Sequence, residues 1–263
     1  MIRKTRIGQY LSFSSLVSLL LSLGILTIIW VSGLGVTAKE SEGVLPPLQI
    51  HPLPSTLKNW HDPQNAGDYF SYLEESPVGS LIWSEFPIKI YWDQPANLVD
   101  NSASHQRFQQ WVTEVEKAIA EWNSYLPLVE VKQEELGDII IKRDNPPLGT
   151  TINPETGKLE IPRARSAQTS YKFYFKGDNP PVLSHQMIVL ISPNLSQELI
   201  LSAIRHELGH ALGIWGHSPV ETDALYFSQV RNPPPISVRD INTLKKVYQQ
   251  PTRLGWTISQ RSH

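Results

Sequence analysis

Cysteine is missing from all 263 residues. No disulfide can staple the fold, and no thiolate can serve as nucleophile or metal ligand. Methionine is nearly as scarce. Met1 and Met187 are the only two, so no methionine packs anywhere downstream of Met187. An excess of one charge is also lacking. The formal net charge is -2 with 18% charged residues, which leaves no electrostatic case for nucleic acid. Neither an internal repeat nor a heptad is present. The remainder is an ordinary globular composition, 40% hydrophobic, long enough for one sizeable domain plus a leader.

The leader is legible. Arg3, Lys4 and Arg6 precede any acidic residue, and an uncharged apolar run follows over 11–36. A basic start before such a run marks export or a membrane anchor. Val36-Thr37-Ala38 suits a signal peptidase, with cleavage after Ala38. The run is also long enough to cross a bilayer as a helix. Both readings of residues 1–38 put the rest of the chain outside the cytoplasm, secreted, periplasmic or anchored by one helix.

Residues 39–80 read as a spacer or pro-segment, because VLPPLQIHPLP is rich in proline and lacks alternation. A short helix or turn is expected around Ala66–Glu75. The domain proper is expected over 81–250, with 251–263 as a tail. PIKIYW, Leu128–Val131, DIIIKR and HQMIVLI are strand candidates, and 159–175 should be extended. Residues 105–125 place Phe108, Trp111, Val115, Ile119 and Trp122 on one helical stripe. SVRDINTLKKVY predicts a closing helix with Val238, Ile241, Leu244 and Val247 on one side. This order is a mixed α/β (α+β) unit with helices against a twisted sheet.

The chemistry gathers in a second amphipathic segment, SQELILSAIRHELGHALG, preceded by the caps Asn194 and Ser196. His206 and His210 are four apart, so a helix sets both imidazoles on one face, able to converge on one ion. Glu207 lies about a third of a turn on, positioned to work a metal-activated water as general base. HExxH alone is weak evidence. Here Gly213 follows where the helix must end, and a left-handed cap suits it. His217 comes four residues later and can fold back as a third nitrogen, leaving one position open for water. Glu221 and Asp223 are alternative third ligands.

HELGHALGIWGHS resembles the long zinc signature of the metzincin metallopeptidases, most closely that of the matrixin-like bacterial members. The resemblance implies a mostly parallel sheet above an active-site helix, with the third histidine carried by a small C-terminal lobe. It implies one catalytic Zn2+ held by His206, His210 and His217, with Glu207 as base and the turn at Gly213. A polypeptide substrate would lie extended along the sheet's edge strand. Two departures stand out. The family's third histidine falls where this chain has Gly216, so His217 is one residue late. The family's turn methionine is matched by Leu225, in the stretch Thr222 to Tyr226. Leucine is nearly isosteric and can fill the same space. Tyr226 can reach substrate in the cleft, as a tyrosine near that turn does in some relatives, or pack as a half-buried aromatic. A structural Ca2+ is allowed but not indicated by the sequence.

The expected protein is therefore a zinc-dependent endopeptidase on the extracytoplasmic side, held to a membrane through residues 11–36 if uncleaved. The alternative is an inactive zinc-binding module displayed there. Intact Glu207 argues for the enzyme.

Overall fold

A computed structural model describes residues 45–96, 102–149, 151–152, 154–160 and 165–258. The expected leader or anchor lies outside them. Among the described residues no helix is long and apolar enough to cross a membrane.

In chain order the elements are α1 (Ser55–Asn59), β1 (Ile88–Trp92), α2 (Ala103–Asn123), β2 (Leu128–Glu130), β3 (Ile139–Lys142), β4 (Thr151–Ile152), β5 (Leu159–Glu160), β6 (Ala167–Lys176), β7 (Val182–Ile191), α3 (Gln197–Ala211) and α4 (Val238–Val247). Five strands form one sheet in the order β2-β1-β3-β7-β6. The first four run parallel. β6 runs antiparallel to β7, from Ala167 opposite Ile191 to Lys176 opposite Val182, and forms one edge. β4 and β5 make a separate small hairpin.

The burial pattern explains the arrangement. β3 reads Ile139-Ile140-Ile141 and is buried on both faces, as a central parallel strand must be. β7 alternates, with Leu183, His185, Met187, Val189 and Ile191 buried. α2 sends Trp111, Val115 and Trp122 into the core and packs against α3. The Trp122 indole N–H donates to the Arg205 carbonyl at 2.9 Å. Arg205 closes the same seam through paired bonds to Glu121 at 2.6 and 2.8 Å. The helix carrying the histidines is thus fixed against both α2 and the sheet.

Two expected boundaries are corrected. Residues 45–80 are not a spacer, and residues 251–258 are not a loose tail. Leu57, Tyr69 and Val78 enter the same core as the sheet, and so does Leu254. Gln49 and Thr252 exchange backbone hydrogen bonds at 3.0 and 2.9 Å. The physical reason is apolar content. Prolines prevent regular structure in this stretch, but they do not stop scattered large side chains from being buried. Of the short helix or turn expected near Ala66–Glu75, the structure has the turn, a single 3-10 turn at Phe70–Tyr72. There the Glu74 N–H bonds to the Trp215 carbonyl at 2.8 Å instead of continuing a helix.

Candidate metal centre

α3 brings His206 and His210 to one face, one turn apart. The helix stops at Ala211, and Gly213 and Gly216 turn the chain with φ of 127° and 148°. Side chains rarely adopt such angles. A Cβ at Gly213 would lie 3.0 Å from the Leu81 carbonyl oxygen, and one at Gly216 would lie 2.8 Å from Leu73 Cα. Two glycines therefore absorb the extra residue and fold His217 back over α3. Its ring stands 5.2 Å from that of His206 and 4.8 Å from that of His210. One ligand atom from each of the three lies within 4.8 Å of the others. Among the described residues this is the one group of its kind.

The tautomers follow from the partners. His206 Nδ1 sits 2.9 Å from the Ala224 carbonyl oxygen, and His210 Nδ1 sits 2.7 Å from that of Ile214. A carbonyl only accepts, so both Nδ1 atoms carry the proton. Burial pushes both imidazoles down to about 4, so they are neutral at pH 7; for His206 the neighbouring His210 adds to this. Each Nε2 then presents a lone pair, and the two Nε2 atoms face each other at 3.1 Å. Two acceptors cannot bond to one another. Two nitrogens on one tetrahedral zinc stand about 3.3 Å apart. The donor set and its spacing therefore fit a zinc ion. His217 is the most exposed of the three, and partial desolvation lowers its pKa too.

Glu207 is buried beside this cluster, and burial raises its pKa. Thr169, on edge strand β6, reaches it. Its hydroxyl lies 2.6 Å from Glu207 Oε2 and 3.1 Å from the Glu207 carbonyl oxygen. Sequence reasoning missed Thr169. A threonine in a strand carries no motif, and only the register opposite Val189 sets it above α3.

Leu225 is fully buried under the site. A Cβ at Gly209 would fall 2.5 Å from Leu225 Cδ2, so this leucine packs directly on the helix between His206 and His210. Asp240 holds that turn, accepting from the Ala224 N–H at 2.9 Å and, through the α4 capping box, from the Ser237 N–H at 2.7 Å. Asp223 does not join the metal group. Its carboxylate accepts from Ser218 at 2.5 Å, Ser237 at 2.7 Å and Arg239 at 3.0 Å. Glu221 is exposed and also outside the group.

His206, Glu207, His210 and His217 line a cleft of about 1000 Å³, together with Glu74, Arg165, Thr169 and Tyr226. Tyr226 is half-buried, its ring 4.5 Å from that of Phe227. Burial sets the direction at both Glu207 (raised) and His217 (lowered), and the Arg165 charge opposes the first and adds to the second. Among the described residues no strand pairs with the outer edge of β6.

The set His206-Glu207-x-x-His210 with His217 matches a metzincin-like zinc-binding motif, carried on a mixed α/β architecture consistent with that kind of catalytic domain. No protein-family model matches the chain, and no curated protein matches it. The clustered histidines and glutamate form a candidate metal-binding site with the makings of a catalytic one.

Proposed function

We propose that this chain is a zinc-dependent endopeptidase of the metzincin type, most like the matrixin-like bacterial enzymes, acting on extended polypeptide outside the cytoplasm. One observation carries the reading. Two neutral imidazoles aim lone pairs at each other across 3.1 Å, with His217 closing the group and Glu207 buried beside it. A structural zinc site would normally be closed by four protein ligands. Three imidazoles with an open side facing a cleft suit catalysis. Export rests on the basic start and the apolar run over 11–36.

His206, His210 and His217 would hold the ion, which when bound supplies a Lewis acid that polarises a carbonyl and lowers the pKa of water. The chain does the rest. β6 offers the unpaired backbone groups of a sheet edge, which take up an extended peptide as an added strand. Glu207 accepts the proton of the attacking water and delivers it to the leaving amine. Thr169 engages Oε2, which assigns Oε1 to that proton. Tyr226, at the cleft wall, contacts the substrate near the scissile bond.

The test is to purify the chain and its Glu207→Gln variant, measure metal by elemental analysis, and assay both on unstructured casein. One zinc in each, with cleavage only by the unsubstituted protein, is the expected result. Zinc in both with cleavage by neither would favour the inactive zinc-binding module. Zinc in neither after metal-supplemented refolding would overturn the proposal.

A further inference from the structure

Residues 69–74 reach the supports of the metal group from two directions, although they lie more than 130 positions away in sequence from all three histidines. The first route runs through side chains. The buried Tyr69 hydroxyl donates to Asp240 Oδ1 at 2.6 Å. Desolvation and the adjacent carboxylate keep that phenol protonated, so it is the donor. Asp240 accepts from the Ala224 N–H, and the Ala224 carbonyl accepts the Nδ1 proton of His206. The Tyr69 N–H also donates to Thr243 Oγ1 at 3.0 Å, which locks the tyrosine onto α4.

The second route runs through backbone. Leu73 forms an antiparallel bridge with Gly216, and the Glu74 N–H donates to the Trp215 carbonyl at 2.8 Å. Trp215 and Gly216 are the two residues before His217. Glycine at 216 lets the two chains approach, since a Cβ there would collide with Leu73.

We propose that residues 69–74 are a brace for the metal site, with Tyr69 and Glu74 as positioning residues that hold His206 and His217 respectively. This rests on the zinc reading given above. A ligand's hydrogen-bonded support fixes its ring orientation, and losing such support typically weakens metal affinity about 10- to 100-fold. One consequence concerns maturation. Removal of residues 69–74 with any cleaved N-terminal segment would take both supports away and weaken zinc binding.

The test uses the full chain with Tyr69→Phe, Glu74→Pro and Glu74→Gln. Phenylalanine keeps the ring and loses the hydroxyl. Proline removes the N–H that bonds Trp215, whereas glutamine keeps it and removes only the charge. Zinc affinity is measured by competition with a chromogenic chelator, and folding by circular dichroism and thermal melting of the metal-free proteins. Expected are a roughly tenfold or larger rise in zinc Kd for Tyr69→Phe and for Glu74→Pro, and a clearly smaller rise for Glu74→Gln, with all three folded. Glu74→Pro lies at the surface and answers the question even if Tyr69→Phe does not fold. Parent-like affinity in the folded Glu74→Pro or Tyr69→Phe protein would overturn the brace while leaving the zinc site standing. Failure of the parent itself to bind zinc would overturn the site and the brace together.

Discussion

Thr169 on the sheet's edge strand and Glu207 on the helix beneath it meet at 2.6 Å, hydroxyl to carboxylate oxygen. The contact joins the strand that borders the cleft to the proposed base. Replacing Thr169 with valine keeps the shape and removes the donor. A hydrogen bond to a charged group contributes about 1.5–3 kcal/mol, so kcat on casein should fall about 10- to 100-fold with KM nearly unchanged. Thr169→Ser should restore most of the rate, and zinc content should be parental in both. A valine variant with full kcat would remove Thr169 from the mechanism.

His217 and Asp223 make opposite predictions. His217→Ala removes one of the three grouped imidazoles, and the purified protein should lose zinc on dialysis while melting at a parental temperature in its metal-free form. Asp223→Asn should keep zinc, because that carboxylate is committed to Ser218, Ser237 and Arg239. It should instead cost about 3 kcal/mol of stability, as expected when one partner of a buried ion pair is removed. Urea unfolding and metal analysis on the two variants decide the assignment.

Leu225 packs where α3 carries Gly209, and there is no slack between them. Gly209→Ala should destabilise the protein by about 1–3 kcal/mol through overpacking. Leu225→Met conserves volume and should cost less than about 1.5 kcal/mol, with peptidase activity retained. Thermal melts and casein assays would show it. Loss of activity in Leu225→Met would mean that the leucine's shape is required.

His185 gives a pH dependence separate from the metal group. It is buried on β7, stacked on Trp83 at 3.9 Å, and its Nε2 has no hydrogen-bond partner. Burial pushes its pKa from 6.5 down to about 3. The unfolded chain therefore binds the extra proton first as pH falls. Stability from the neutral ring is complete above about pH 6.5 and is lost progressively as pH drops towards 3. Between pH 7 and pH 5 the loss from this one group should be about 2 kcal/mol. His185→Phe should flatten that part of the profile, read by urea unfolding at each pH. An unchanged slope would show that the ring is not held neutral.

The segment of the candidate metal site was legible because its chemistry is local. A spacing of four from His206 to His210 sets one helical face, and Gly213 with His217 follows within a few residues. The helices were legible for a related reason. Trp111, Val115 and Trp122 recur at the helical period, and Ser237 with Asp240 states its own cap. Strands with dense β-branched residues, such as Ile139–Ile141, were equally plain. The edge position of β6 was not, since its sequence records alternation but not neighbours.

Sequence alone therefore determined the donor set, the helix that aligns two of its members, and the glycines that allow the third to return. These depend on backbone geometry over a few residues. Tertiary structure decided what holds the set in place. Thr169 on Glu207, Leu225 against Gly209, Asp240 under Ala224, and Tyr69 on Asp240 are contacts between residues 16 to 171 positions apart. No periodicity encodes them. They exist because burying Leu57, Tyr69 and Leu254 in one core with the sheet brings a proline-rich stretch and a C-terminal segment against the metal centre, where each buried polar group had to find a partner.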